Sequence, residues 1–331
     1  MPRCRNFTKV ILLIISALTL SLLTTACQPA DDPPASLEEN TEDSRLQVAA
    51  LKGPTGLGLL AMMEEQADLY QLSLQAAPDA VVPLLVSGQA DVACIPANLA
   101  SVLYHKTDGQ VKVIGLNTLG VLYLVEKGDS IHDWSDLKGK TLISSGKGSV
   151  PEYLFRQVLQ EHGLSDADLK LEYKADHSSV LAELSSGKAD LAVLPQPFLT
   201  VALSKDENLR VVFDLSEESD LPVVMGVYAA SARALADKKD QLRAFLQDAK
   251  ASVDFVNSQP EEAGKLSEKH QVIAPAAIAA KAIPACSLVC ITDLPSMQEL
   301  LLPFLEGLHS FDPQTVGGSL VGTELLADLN K

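Results

Sequence analysis

Aromatic residues are scarce in this chain, at 5 % of 331 positions with a single tryptophan. That speaks against a surface that holds sugars or single-stranded nucleic acid by stacking rings. Basic residues are few as well: 26 Lys and Arg stand against 43 Asp and Glu, for a formal net charge of -17. A duplex-binding role is disfavoured, because such a surface needs a basic field, and no nucleic-acid partner is expected. His105, His132, His162, His177, His270 and His309 have no partner at zinc-like spacing, and no His-Glu-x-x-His run occurs, so no metal site is expected. Missing too are a Gly-x-Ser-x-Gly elbow, a full phosphate loop and a two-cysteine redox pair in a strand-turn-helix context. Gly146-Lys147-Gly148-Ser149 resembles a phosphate loop only in part, lacking its length and its final Lys-Ser/Thr. No cofactor is expected, and catalysis is the weakest of the functional readings.

What is present suits folded cores. Hydrophobic residues make up 47 % and charged residues 21 %, and at roughly 150 residues per domain the length allows about two units.

Residues 1–26 read as an export address. Arg3, Arg5 and Lys9 precede a mostly apolar stretch from Val10 to Leu23, and Thr24-Thr25-Ala26-Cys27 closes it with small residues. This resembles a bacterial lipoprotein signal, which implies cleavage before Cys27 and lipidation of that sulfur. The departure is Thr24, where leucine is usual, and an uncleaved signal anchor is the alternative. Either way the folded part is expected outside the cytoplasm, in the periplasm or on the outer face of the cell membrane, touching membrane only through its anchor. Losing the three basic residues takes the net charge to about -20, which favours a soluble monomer. Residues 27–44 are acidic and Pro-rich and read as a self-repelling tether. Of the remaining cysteines, Cys94 reads as a core residue. A disulfide between Cys286 and Cys290 stays open, since the compartment permits it but one strand does not easily bring such positions together.

The chain contains an internal duplication. Leu46–Leu51 is an apolar run ending in Lys52-Gly53-Pro54-Thr55-Gly56, and Thr141–Ser144 ends likewise in Ser145-Gly146-Lys147-Gly148-Ser149, each followed by a helical pattern. Further on, Ser87-Gly88-Gln89-Ala90-Asp91-Val92-Ala93-Cys94-Ile95-Pro96 aligns without a gap with Ser186-Gly187-Lys188-Ala189-Asp190-Leu191-Ala192-Val193-Leu194-Pro195. The repeating unit is β-α-β-α-β, which predicts an α/β fold of two lobes, each a mostly parallel sheet flanked by helices. The expected boundaries are 45–125 with 222–331 for the first lobe and 126–221 for the second. Val111–Leu116 and Val121–Val125 supply linking strands, and Val223–Tyr228 a strand returning to the first lobe.

Trp134-Ser135-Asp136-Leu137-Lys138-Gly139-Lys140-Thr141-Leu142, the Ser-Gly-Lys-Ala-Asp core within 179–192, and residues 242–263 together resemble the solute-binding proteins of ATP-driven importers. The nearest branch is the type 2 periplasmic-binding fold group serving nitrate, sulfonate, taurine and thiamine-pyrimidine uptake, and the likeness runs over about residues 45–331. The resemblance implies a two-lobed, non-enzymatic receptor that closes over a small solute and presents it to an ABC-type permease with its ATPase. A sensing adaptor using the same cleft, or least of all an exported enzyme, are the alternatives. No residue set here is that of a sulfonate, nitrate or aminopyrimidine site.

In open α/β sheets, ligands lodge outside the carboxyl ends of the strands, against helix N-termini. The candidates in the first lobe are therefore Lys52, Pro54, Thr55, Gly56, Pro96, Asn98 and Asn117; those in the second are Gly146, Lys147, Gly148, Ser149 and Gln196. Backbone N–H groups at Thr55-Gly56 and Ser149-Val150 could grip an anionic or zwitterionic solute, although Thr55, Ser149 and Asn98 could equally be ordinary caps. Tyr228, on the return strand, is a candidate to line the cleft, Met225 is expected in the core, and His177 reads either as a pH-sensitive contact or as a solvated turn.

Overall fold

The computed structural model describes residues 44–329. The signal, Cys27 and nearly all of the tether lie outside the described residues. Eleven strands run β1 Leu46–Leu51, β2 Tyr70–Gln75, β3 Val92–Pro96, β4 Val111–Leu119, β5 Leu122–Lys127, β6 Thr141–Ser144, β7 Lys170–Tyr173, β8 Leu191–Pro195, β9 Leu209–Asp214, β10 Val224–Ser231 and β11 Leu288–Ile291. The helices are α1 Pro54–Leu57, α2 Leu60–Glu65, α3 Pro78–Val86, α4 Ala97–Lys106, α5 Val150–Glu161, α6 His177–Ser185, α7 Phe198–Lys205, α8 Ala232–Asp237, α9 Lys239–Ser258, α10 Pro260–Lys269, α11 Ala276–Ala282 and α12 Leu294–Phe311. None of them is long and apolar enough to cross a membrane.

Two sheets result, ordered β11-β4-β10-β3-β1-β2 and β7-β6-β8-β5-β9. In each, one strand pairs in parallel with two others: β1 with β2 and β3, and β6 with β7 and β8. Each is then completed by an antiparallel strand beside its third: β10 runs against β3, and β5 against β8. The duplicated sequence thus builds a duplicated topology. The central strands read as unbroken apolar runs because both of their faces are covered. In β10, Val227 and Ala229 enter one core cluster while Tyr228 and Ala230 enter another, the alternation of a pleated strand.

Two features bear on how the halves are divided. β5, of which Val121–Val125 was expected to be a linking strand of the first lobe, lies in the second sheet between β8 and β9. The chain therefore changes sheets at Gly120-Val121 rather than after Val125, because Leu122 already pairs with Pro195. The two halves also share a core: Ala49 and Ile95 of the first sheet, Leu124 and Val193 of the second, and Leu215 and Val223 from the second crossing all belong to one buried cluster with Phe304 and Leu308 of α12. C-terminal helix α12 is the wedge that joins the halves.

Symmetry of sequence does not carry over to every side chain. Asp91 is 2 % exposed, accepts a hydrogen bond from the Gln47 amide at 2.9 Å and pairs with Lys238 at 2.7 Å, whereas its repeat mate Asp190 is exposed. Cys94, Cys286 and Cys290 are all free thiols. The possible Cys286–Cys290 disulfide is absent: Cys286 is packed among Leu57, Val256 and Ile283, while Cys290 donates to the Leu246 carbonyl.

Candidate functional site

Strand register locates the carboxyl ends. Pro96, the last residue of β3, pairs with Gly226, and Gly226 pairs with Thr118, so the three lie in line across the first sheet. Leu119 ends β4, and Leu122 opens β5 opposite Pro195, the last residue of β8. A two-residue crossing thus links the carboxyl edge of one sheet directly to that of the other, and those edges face each other. The second crossing runs beside it: a Cβ on Gly120 would lie 2.2 Å from the Ser216 Cβ, so only glycine fits there. Tyr123, at the start of β5, donates its phenol to the Ala285 carbonyl at 3.0 Å, tying the second sheet to the first half's C-terminal helices. Burial, with Asp214 nearby, pushes that phenol well above its ordinary range.

In the first half Asn117 is the residue of consequence. It is 3 % exposed, its Oδ1 accepts from the Thr118 hydroxyl at 2.9 Å, and its Nδ2 is buried without a partner among the described residues. An orphaned amide donor costs about 1–3 kcal/mol, a cost native folds seldom carry without a use for the group. Its amide lies over Gly226, where a Cβ would sit 2.3 Å from Asn117 Oδ1 and 2.9 Å from Thr55 Cγ2. Gly226 is therefore what lets Asn117 and Thr55 approach the strand ends, a role unseen in the sequence because the glycine sits inside an apolar run.

Most of the other first-half candidates are engaged within the fold. Thr55 is not a cap: Gly53, at φ 105°, holds that position, and the Thr55 hydroxyl donates to the Leu51 carbonyl at 3.2 Å. The Gly56 amide donates to the Gly53 carbonyl, and a Cβ there would meet the Leu51 carbonyl oxygen at 2.6 Å, so Gly56 serves the turn. Asn98 does not cap α4 either; its Nδ2 donates to the Thr315 carbonyl and fastens the C-terminal segment. Tyr228 is fully buried, edge-on to Phe245 with ring centroids 5.5 Å apart, and is a core residue rather than a cleft residue. Met225 is half-buried against the shared core. Lys52 is exposed, and Pro54 and Pro96 are half-buried.

The second half is similar. Ser149 occupies the cap position of α5, yet its hydroxyl and its amide both turn back to the Gly146 carbonyl, at 2.5 and 3.0 Å. The Gly148 amide donates to Glu152 Oε2. The expected amide cradle is thus largely consumed within its own loop, and an internal carboxylate already sits at the helix start. Lys147 is exposed, with its Nζ 5.9 Å from the Tyr173 ring centroid. Gln196 is 5 % exposed, and its Oε1 accepts from the Thr200 hydroxyl at 2.8 Å. His177 is not a solvated turn: it is half-buried, and its Nδ1 lies 2.5 Å from the Oγ of Ser145, itself 2 % exposed. Ser145 escaped notice because it looks like a plain turn residue, and only the pairing of β6 with β7 brings it to His177.

At the strand ends stand Asn117, Thr55 and Gly226 in one half, and Ser145, His177 and Gln196 in the other. No group of His, Cys, Asp and Glu able to hold a metal occurs among the described residues. Cavities of about 340 Å³ beside β2, lined by Tyr70, Leu72 and His270, and of about 520 Å³ between α5 and α12, lined by Tyr153, Arg156 and Phe311, lie on the flanks.

Three comparisons bear on what this arrangement serves. The family described as NMT1/THI5 like matches residues 68–263. "Putative binding protein YtlA" of Bacillus subtilis (strain 168) is 25 % identical over 147 residues, 43 % of this chain, and the match spans 43 % of that relative's length. Among solved structures, an ABC transporter protein from Parabacteroides distasonis is 26 % identical with a TM-score of 0.75, covering 86 % of this chain and 99 % of that one. The periplasmic aliphatic sulphonate binding protein SsuA from Escherichia coli has the same fold, at 17 % identity and a TM-score of 0.69, covering 85 % of this chain and 91 % of that one.

Proposed function

Because the chain belongs to the NMT1/THI5-like family, we propose that it is an extracytoplasmic receptor that captures a small solute between its two halves and delivers it to an ABC-type permease. The observation that carries the reading is the opposition of the two carboxyl edges across a two-residue crossing, with the unpaired Nδ2 of Asn117 buried at that edge. Buried amide donors are normally paired in native folds, and this one stands at the strand ends. Ligand capture supplies the missing acceptor.

In this reading Asn117, Thr55, Ser145, His177 and Gln196 contact the solute, and Lys52 and Lys147, both exposed, add positive charge at the rim. Export, lipidation of Cys27 and the acidic tether from residue 27 to 44 belong to the same proposal, since a receptor held near its permease needs reach more than rigidity. The protein acts as a monomer, as a strongly acidic surface repels a second copy.

The test is a thermal-shift screen of the purified protein against sulfonates, nitrate, amino acids, aromatic acids and aminopyrimidines. One solute is expected to stabilise by about 2.7 kcal/mol at a hundredfold excess over its dissociation constant. A panel that leaves the melting temperature unmoved while a substrate screen reveals turnover would overturn the receptor reading in favour of an enzyme.

A further inference from the structure

Away from the strand ends, one cavity carries unmet chemistry of its own. It measures about 520 Å³, within the ordinary range for a small-molecule site, and lies between α5 and α12 with Leu221 of the second crossing on its wall. Tyr153 lines it at 4 % exposed, and its Oη is buried without a hydrogen-bond partner among the described residues. So is Nε of Arg156, three residues on. That spacing puts both side chains on one face of α5. Gly307, inside α12, stands opposite, and a Cβ there would collide with Tyr153 Oη. A glycine in mid-helix and a hydroxyl without an acceptor both weaken a fold, and here they meet in one cavity.

Most of the other polar groups around it are engaged. Arg156 Nη1 pairs with Glu152 and Nη2 with Asp166, each at 3.0 Å, while the guanidinium lies 5.8 Å from the Phe311 ring centroid. Gln157 donates to Glu161 at 2.8 Å, and the Ser310 hydroxyl donates to the Glu306 carbonyl at 2.9 Å. Burial, with Glu161 nearby, pushes the Tyr153 phenol well above its ordinary range, so it stays protonated. Two donors therefore remain, and a carbonyl oxygen, with its two lone pairs, can accept from both. Charge narrows the class further. One guanidinium stands against the carboxylates of Glu152, Asp166 and Glu161, so an anion is repelled, while an ammonium would bring only more donors. The Tyr153 and Phe311 rings, with centroids 5.5 Å apart, and Leu221 offer apolar contact to a ring.

We infer that the cavity between α5 and α12 is a second binding site, taking an uncharged aryl carbonyl compound whose oxygen accepts from Tyr153 Oη and Arg156 Nε. The site stands apart from the strand ends and does not rest on solute capture there. Its walls come from the second half, from α12 and from the second crossing, so a molecule seated in it favours the arrangement of the halves described above.

Benzamide, benzoate, benzylamine and toluene share a ring and differ in the group they present, which makes them the probes. Titrated against the full chain at neutral pH and read by the melting shift, benzamide is expected to bind at least about fivefold more tightly than the other three. A co-crystal structure should place it between α5 and α12. Tyr153→Phe, which keeps the ring, should weaken benzamide by about fivefold or more, leave toluene as before, and leave the ligand-free unfolding midpoint no lower than the parent's. Benzamide located elsewhere or nowhere, benzoate or benzylamine held more tightly in the cavity, or Tyr153→Phe binding benzamide as the parent does overturns the inference. So does benzamide seen in the crystal without a saturable melting shift, which is binding at crystal concentration only. A lowered midpoint in Tyr153→Phe also overturns it, by making the hydroxyl a strut of the fold. Because the crystal locates the probe, a failed solute screen at the strand ends bears on the capture reading alone.

Discussion

Replacing Asn117 separates a binding role from a structural one, provided Thr118 is changed with it. Asn117→Ala alone removes an orphaned donor but strands the Thr118 hydroxyl, which is 1 % exposed and donates only to Asn117 Oδ1. The two effects are each about 1–3 kcal/mol and cancel. The double variant Asn117→Ala with Thr118→Val leaves neither group, and valine keeps the shape of threonine. Its ligand-free stability should fall within about 1 kcal/mol of the parent, a melting shift of roughly 2–4 °C either way. Solute affinity, by contrast, should drop by about 1–3 kcal/mol, or roughly 5- to 150-fold, because a bonded acceptor on the ligand loses its donor. Urea unfolding gives the first quantity and the ligand-dependent melting shift gives the second. A variant that loses more than about 3 kcal/mol of stability while binding the solute as before would refute the argument, and would make Asn117 a strut of the crossing.

Three further outcomes follow from contacts elsewhere. Asp91→Asn should cost about 3 kcal/mol in urea unfolding, since it leaves Lys238 without its buried partner, while Asp190→Asn in the matching repeat position should change stability by under about 0.5 kcal/mol; equal effects would contradict the asymmetry of the halves. Gly146→Ala should cost about 1–2 kcal/mol through its φ of 75° alone, and more because the new Cβ would lie 2.7 Å from Ser149 Oγ; an unchanged unfolding midpoint would show that the loop after β6 relaxes freely. Burial pushes the Cys286 thiol up to about 12 and the Cys290 thiol up to about 11, so neither should alkylate at pH 8 in the folded protein, whereas both should do so after unfolding without reductant, as peptide mass spectrometry would record; blocked thiols in the unfolded chain would reinstate a disulfide.

The architecture was legible because the duplication is written in local signals. Ser87–Pro96 and Ser186–Pro195 each close a helix on glycine and open an apolar strand, and both become β3 and β8 at equivalent places. The site was legible only in outline. Strand ends and their loops could be named from the fold rule, and Asn117, Thr55 and Gln196 do lie there. Yet whether a loop's donors are free depends on bonds made a few residues away: the Ser149 hydroxyl goes to Gly146 and the Gly148 amide to Glu152, choices that composition does not reveal. Tyr228 misled for a different reason. On a strand covered on both faces, alternation carries no information about which side is the cleft, and its ring went to Phe245.

The shared core limits how such a molecule can move. If each half had a separate interior, closure could slide as well as rotate. Here Leu122, Leu215 and Val223 at the two crossings are buried with α12 residues from both flanks, so shear would break close packing on that side. Rotation about the crossings costs least, and Gly120 beside Ser216 lies where the two crossings touch. The Tyr123 bond to the Ala285 carbonyl is one contact that such a rotation would strain, since it spans the halves beside the strand ends without belonging to the shared core. Tyr123→Phe should therefore leave the unfolding midpoint within about 1.5 kcal/mol of the parent, the worth of one hydrogen bond, and show its effect instead as faster solute release. Stopped-flow dissociation measures that rate, and release unchanged in Tyr123→Phe would place the closing contact elsewhere.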